Sequence, residues 1–174
     1  SVFEISCATT FLSCVYTQLL ICDLGIQPEK ILGFSGGEIY SLLALGIWDI
    51  DPYLKKAQAT SIFENEADGE FLAVQKALGI PGPIHWETHL LNLPEQKILA
   101  AIERHPGVFL PMVNSPRECV IAGLRSACSG LISELDAHST QIGMPQVYHS
   151  NILAPLAKEL QNLWNNPVTL PFNL

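Results

Sequence analysis

Positive charge is scarce in this chain: nine Lys and Arg stand against seventeen Asp and Glu in 174 residues, for a net charge of −8. The basic residues nowhere form a dense run, so nucleic acid and anionic membrane surfaces are excluded as partners. Charge of either sign is low, at 15%, and the 48% apolar fraction supplies a core instead. A chain of this size buries roughly two-thirds of its unfolded surface, which excludes disorder. The five cysteines, Cys7, Cys14, Cys22, Cys119 and Cys128, are odd in number and contain no CxxC pair. They are expected to be buried free thiols in a reducing compartment, not a disulfide framework. No basic segment precedes the apolar N-terminal stretch and polar residues interrupt it, so neither a signal peptide nor a membrane span is expected. A soluble, cytoplasmic protein follows. The chain opens at Ser1 and ends at Asn173-Leu174 after a proline-bounded strand-like run, in the manner of a piece of something longer.

What the sequence does contain is a serine between glycines, in "ILGFSGGEIYSLLALGIWD", residues 31 to 49. Gly33-Phe34-Ser35-Gly36-Gly37 fits GxSxG. Ile31 to Phe34 read as the end of a buried strand, and Ile39, Leu42, Leu43 and Ile47 recur at helical spacing. Strand, sharp turn and helix in that order lift a serine hydroxyl to the positive end of a helix, with the Gly36 N–H facing the oxyanion that forms when Ser35 attacks a carbonyl. The alternative is a plain glycine turn; the flanking pattern favours the nucleophile.

Around this elbow, residues 3 to 24 carry apolar side chains at steps of three and four until Gly25 and Pro28, which predicts a helix. Asp51-Pro52 predicts the start of another, through Lys55, Lys56 and Thr60. Composition changes after Asp68-Gly69. "EFLAVQ" predicts a strand, "PEQKILAAIERH" a helix, "VFLPMVNSP" and "ECVIAG" two strands, "RSACSGLISELDAHS" a helix and "TQIGMPQVYHS" a strand, the βαββαβ order of a small ferredoxin-like lobe. "ALGIPGPIHWETHLLNL" reads as an inserted loop, and residues 152 to 165 as a helix returning to the first lobe. The expected architecture is α/β: a hydrolase-like α/β lobe with a nucleophile elbow over residues 1–67, a ferredoxin-like lobe over 68–148, and a return to the large lobe over 149–174.

A serine needs a base, and five histidines are present. His105 and His138 lie near helix ends, as dipole partners or surface groups. His85 and His89 in "HWETH" have i, i+4 spacing that suits zinc on a helix, but Glu87 is displaced from the zincin position and the flanking prolines read as loop; no metal is expected. His149, in "QVYHSN", closes the last predicted strand where the chain leaves the small lobe for the large one, a place expected to face a cleft.

Ser35 and His149, with the βαββαβ segment between them, resemble the acyltransferase domain of fatty acid and polyketide synthases, the malonyl-CoA:acyl carrier protein transacylase family. Gly33 to Glu38 match the GHSxGE elbow, "NSPRECVIAG" from Asn114 to Gly123 matches the small-lobe segment NSPRxCVxxG, and His149-Ser150-Asn151-Ile152-Leu153 matches HSxxM with leucine for methionine. The matches fall in family order across the middle of the family domain. The resemblance implies ping-pong acyl transfer, with Ser35 as nucleophile, His149 as base and Gly36 in the oxyanion hole. It also implies acyl-CoA as donor, an acyl carrier protein with its phosphopantetheine as acceptor, no bound cofactor, and other domains of a multidomain synthase as neighbours. The pathway the resemblance implies is fatty acid, polyketide or polyunsaturated fatty acid synthesis. The family's second oxyanion donor and the carbonyl that orients its histidine match nothing in this sequence, so the stretch is expected to lack a complete site.

Departures from the family bear on substrate. The arginine that pairs with the malonate carboxylate aligns with Thr60, and Lys56, one turn earlier, is the candidate substitute. Phe34 replaces the elbow histidine, Gly36 replaces a larger residue and is expected to leave room, and "QVYH" stands where malonyl-selective members resemble HAFH. Asn114 and Tyr148 complete the candidate substrate contacts. Neutral acyl groups are therefore expected over malonyl. Two other functions fit less of the chain: a patatin- or esterase-like serine hydrolase, with Asp68-Gly69 as the dyad dipeptide, and a non-catalytic structural domain of a synthase.

Overall fold

The computed structural model describes residues 1–169, so the strand-like run expected at the end of the chain lies partly outside the described residues. The chain divides into two compact units: Ser1–Phe63 together with the stretch from Ala157 on, and Glu64–Leu156.

In the first unit, α1 (Val2–Gln18) continues as a π-helical turn over Leu19–Asp23, and Ser1 and Glu4 close a capping box at its start. By length and composition Val2–Asp23 is apolar enough to cross a membrane, with mean hydropathy 1.6, contrary to the expectation that its polar residues forbid it. α1 packs on α2 (Gly36–Ala44), yet only 6% of that apolar stretch is buried. α3 (Ile50–Ala59) starts two residues earlier than expected, because Asp49 rather than Asp51 is the cap, accepting the Asp51 N–H at 3.3 Å. The predicted terminal helix resolves into a 3₁₀ segment, Asn151–Leu156, interrupted by Pro155, followed by α7 (Ala157–Trp164). Leu43 of α2, Tyr53 and Ala57 of α3 and Leu163 of α7 form the core of the first unit, with Phe3, Ile39 and Trp48 against it. Burial pushes the Tyr53 hydroxyl up to about 12.

In the second unit a four-stranded antiparallel sheet has the order β2-β3-β1-β4, from β1 (Trp86–Leu91), β2 (Val108–Ser115), β3 (Glu118–Leu124) and β4 (Ser139–Ile142). α5 (Glu95–Ile102) links β1 to β2 and α6 (Arg125–Glu134) links β3 to β4. Leu91, Ile98, Ile121 and Leu131 are fully buried between the sheet and these helices, each contributing roughly 1.5–3 kcal/mol.

Two expectations are corrected here. "EFLAVQ" is not a strand but the start of α4 (Leu72–Leu78), and the first strand comes from "HWETH", expected to be loop. The apolar run of "EFLAVQ" is too short for its period to decide, whereas Leu72 to Leu78 are mostly strong helix formers. Trp86 to Leu91 alternate faces and pair with β3 on one side and β4 on the other. Four residues along a strand span about 13 Å, so the helical spacing that a His85–His89 metal pair needs is lost. His89 is buried and its Nε2 lies 3.1 Å from Glu87 Oε2, while Arg125 Nε donates to Glu87 Oε1 at 2.6 Å. Arg104, and then His105, bind Glu134 and hold its carboxyl down to about 2. The cysteines are all free, but only Cys119 and Cys128 are buried; Cys7 and Cys14 are half-buried and Cys22 is exposed, because α1 offers only part of its surface to α2. Burial, and then the Glu87 charge, push the Cys128 thiol up to about 12.

Candidate active site

Ser35 sits at the N-cap of α2 with φ 53° and ψ −122°, one of three non-glycine residues of positive φ among the described residues. A side chain at that φ is strained, by about 1–3 kcal/mol, and such strain persists only where the surroundings enforce it. Two features enforce it. The Gly37 N–H donates back to the Phe34 carbonyl at 2.9 Å and the Glu38 N–H to the Ser35 carbonyl at 3.0 Å, closing a tight turn into the helix. Gly33 lies against that helix start so closely that a Cβ would meet Glu38 Cα and N at 2.4 Å. The serine side chain makes no capping bond to the first turn of α2, whose Gly37 and Glu38 N–H groups are taken by the Phe34 and Ser35 carbonyls.

The Gly33 contact gives a direct test. Gly33→Ala is expected to destabilise the protein by about 1–3 kcal/mol, as overpacking against backbone does. Gly37→Ala, with nothing within 4 Å of its Cβ, should shift stability by less than about 0.5 kcal/mol. Thermal unfolding compares them; equal melting temperatures would mean that the elbow is not packed this way.

The segment before the elbow differs from expectation. Ile31 to Phe34 form no strand, and Leu32 is 96% and Phe34 72% exposed. A buried parallel strand exists only through its neighbours' ladder, and no neighbouring strand pairs with this segment among the described residues. Gly36 also departs from the reading that it leaves room, since a Cβ there would meet the Tyr40 ring at 2.9 to 3.1 Å. The tyrosine fills the space that a side chain at 36 would take.

Thr60 closes α3 in extended backbone, with φ −90° and ψ 145°. Its Oγ1 donates to Glu159 Oε1 in the first turn of α7 and accepts the Ile62 N–H at 3.2 Å. Lys56, one turn earlier, donates its ammonium to the Asn165 carbonyl at 2.6 Å and to Asn166 Oδ1 at 3.1 Å. It ties α3 to the chain leaving α7. Sequence reading missed Glu159, Asn165 and Asn166, because nothing local marks residues that matter only through a partner a hundred positions away.

The remaining candidates belong to the second unit. His149 does not end a strand. β4 stops at Ile142, and Pro145, without an N–H and with φ fixed, opens a 3₁₀ turn over Gln146–His149. Val147, fully buried, anchors that turn, and the Ser150 N–H and hydroxyl both return to the Val147 carbonyl, at 3.0 and 2.7 Å. His149 is thereby held at the surface, with Ile152 and Leu153 buried behind it. Tyr148 is half-buried with its hydroxyl inside. Asn114, exposed near the β2–β3 hairpin, donates to Glu118 Oε1 at 3.1 Å. The structure thus brings Thr60 to Glu159 in the first unit, and presents His149 on a rigid turn in the second.

No protein-family model matches the chain. Among curated proteins it is 25% identical over 158 residues to the malonyl CoA-acyl carrier protein transacylase of Bacillus subtilis, covering 88% of this chain and 37% of the relative. It is 30% identical over 159 residues to the conidial yellow pigment biosynthesis polyketide synthase of Emericella nidulans, covering 86% of this chain and 7% of that synthase. Among solved structures, it superposes on the acyltransferase domain of phenolphthiocerol/phtiocerol synthase A from Mycobacterium bovis with a TM-score of 0.69 and 21% identity, covering 98% of this chain and 60% of that one. The malonyl-CoA:acyl carrier protein transacylase of Helicobacter pylori gives 0.68 and 20%, covering 96% and 52%. These structural likenesses establish an α/β fold of the acyltransferase kind, of which the chain spans about half.

Proposed function

We propose that this chain, part of an acyltransferase domain of the kind carried by fatty acid and polyketide synthases, moves acyl groups from coenzyme A to an acyl carrier protein through an acyl-Ser35 intermediate. The observation that carries the reading is the backbone of Ser35: a positive φ held in place by Gly33 packed on the start of α2. Phe71, also of positive φ, lies in the ordinary left-handed region at ψ 43°, whereas Ser35 at ψ −122° lies outside it, in a conformation that costs a non-glycine residue more.

In the proposed cycle His149 takes the Ser35 proton as Oγ attacks the thioester carbonyl, and the Gly36 N–H at the start of α2 meets the oxyanion. The imidazolium then protonates the departing thiolate of coenzyme A. The phosphopantetheine thiol of the carrier protein attacks the acyl-serine in turn, giving its proton to His149, which returns it to Ser35. The chemistry needs no bound cofactor. The fold reading that accompanies it is a hydrolase-like lobe over 1–67, a ferredoxin-like lobe over 68–148, supported by the β-α-β-β-α-β order and the sheet order of the second unit, and a return from 149. A cytoplasmic setting, with other synthase domains as neighbours, belongs to the same reading.

The acyl group is proposed to be uncharged. Thr60 has no guanidinium to offer, Lys56 is committed to Asn165 and Asn166, and the 72% exposed Phe34 adds an apolar wall beside the elbow. Desolvating a free carboxylate without a cationic partner costs several kcal/mol. In the full-length protein, acetyl-CoA competing with malonyl-CoA should yield mostly acetyl-Ser35 by intact mass spectrometry; a strong malonyl preference would defeat this part of the reading. A hydrolase would release free acid faster than it loads a carrier protein, and a structural domain would carry no adduct at all.

A further inference from the structure

Thr60 and Glu159 stand 99 positions apart, yet their side chains share a hydrogen bond. A threonine hydroxyl has one proton to give, and Thr60 gives it to Glu159 while taking the Ile62 N–H on its oxygen. The carboxylate is thereby fixed in place. It is half-buried and lies in the first turn of α7, where the helix dipole favours a negative charge. No ion pair neutralises it among the described residues, since Lys56 turns to Asn165 and Asn166. The result is an oriented anion at the position proposed to meet the acyl chain.

We infer that Glu159 sets acyl selectivity: it places a negative charge beside Thr60 that turns away acyl groups bearing a free carboxylate and admits uncharged ones. This rests on the reading that Ser35 is acylated with Thr60 beside the acyl chain. It carries a consequence that the threonine alone does not. An arginine introduced at Thr60 meets Glu159 first, and a guanidinium engaged by one carboxylate is no longer available to another. Only when Glu159 is neutralised as well does the new cation face the substrate. The two substitutions are therefore coupled, as residues in contact are.

The test measures the ratio of malonyl- to acetyl-Ser35 formed from the two CoA esters in competition, in the full-length protein and its T60R, E159Q and T60R/E159Q variants. Glutamine keeps an acceptor for Thr60 and removes the charge. E159Q is expected to raise the ratio roughly tenfold or more, since a unit charge even about 12 Å away contributes that factor at an effective dielectric of about 20. T60R should raise it less than the double variant, and the double variant by more than the product of the singles. In the unmodified protein the ratio should rise with ionic strength, because salt screens the repulsion; this arm needs no variant to fold. A ratio unmoved by both E159Q and salt, or a T60R ratio equal to that of the double variant, overturns the inference. Absence of any Ser35 adduct from either ester in the unmodified protein overturns the broader reading instead.

Discussion

Ser35→Ala in the full-length protein is expected to carry no acyl adduct after incubation with any acyl-CoA, a complete loss against the unmodified protein. The reason is geometric. A covalent intermediate needs a hydroxyl that is not spent on capping its own helix, and Ser35, at the N-cap of α2 with φ 53°, makes no capping bond. Ser41, on the same helix, gives its hydroxyl to the Glu38 carbonyl at 2.8 Å and is committed to the helix backbone. The loss should come without loss of fold. Alanine at a positive φ keeps the strain that serine already bears, so the melting temperature should hold while the adduct disappears. Intact mass spectrometry with peptide mapping checks both halves: an adduct that persists at the usual rate in Ser35→Ala sinks the assignment of the nucleophile.

For His149→Ala the expected result is slower acylation, by roughly 10²- to 10⁴-fold, the range a positioned general base supplies. The effect should depend on pH. The alanine variant should lose the pH dependence that a general base confers on the unmodified protein. His149 is exposed, and the turn that carries it is anchored by Val147, Ile152 and Leu153 and by the two bonds from Ser150 to the Val147 carbonyl, none of which uses the imidazole. A pH profile that survives the substitution unchanged would assign the base to another group.

What could be read directly from the chain is what local sterics and short-range periodicity dictate. The elbow was legible because Gly33, Gly36 and Gly37 around one serine leave few other conformations, and a strand pair and two helices of the second unit were legible because "VFLPMVNSP", "ECVIAG", "PEQKILAAIERH" and "RSACSGLISELDAHS" are long enough for their period to show. The rest was decided by contacts distant in sequence. "HWETH" becomes a strand because β3 and β4 flank it, whereas Ile31 to Phe34, with an equally strand-like pattern, has no neighbour to pair with among the described residues. His149 lies on a 3₁₀ turn because Pro145 cannot continue the ladder and Val147 must be buried. The sequence by itself determined a strained serine at a helix N-terminus. Only the tertiary structure determined that Thr60 is held by a carboxylate and that Lys56 is turned away from it, because a hydrogen bond across 99 residues leaves no periodic trace in either segment.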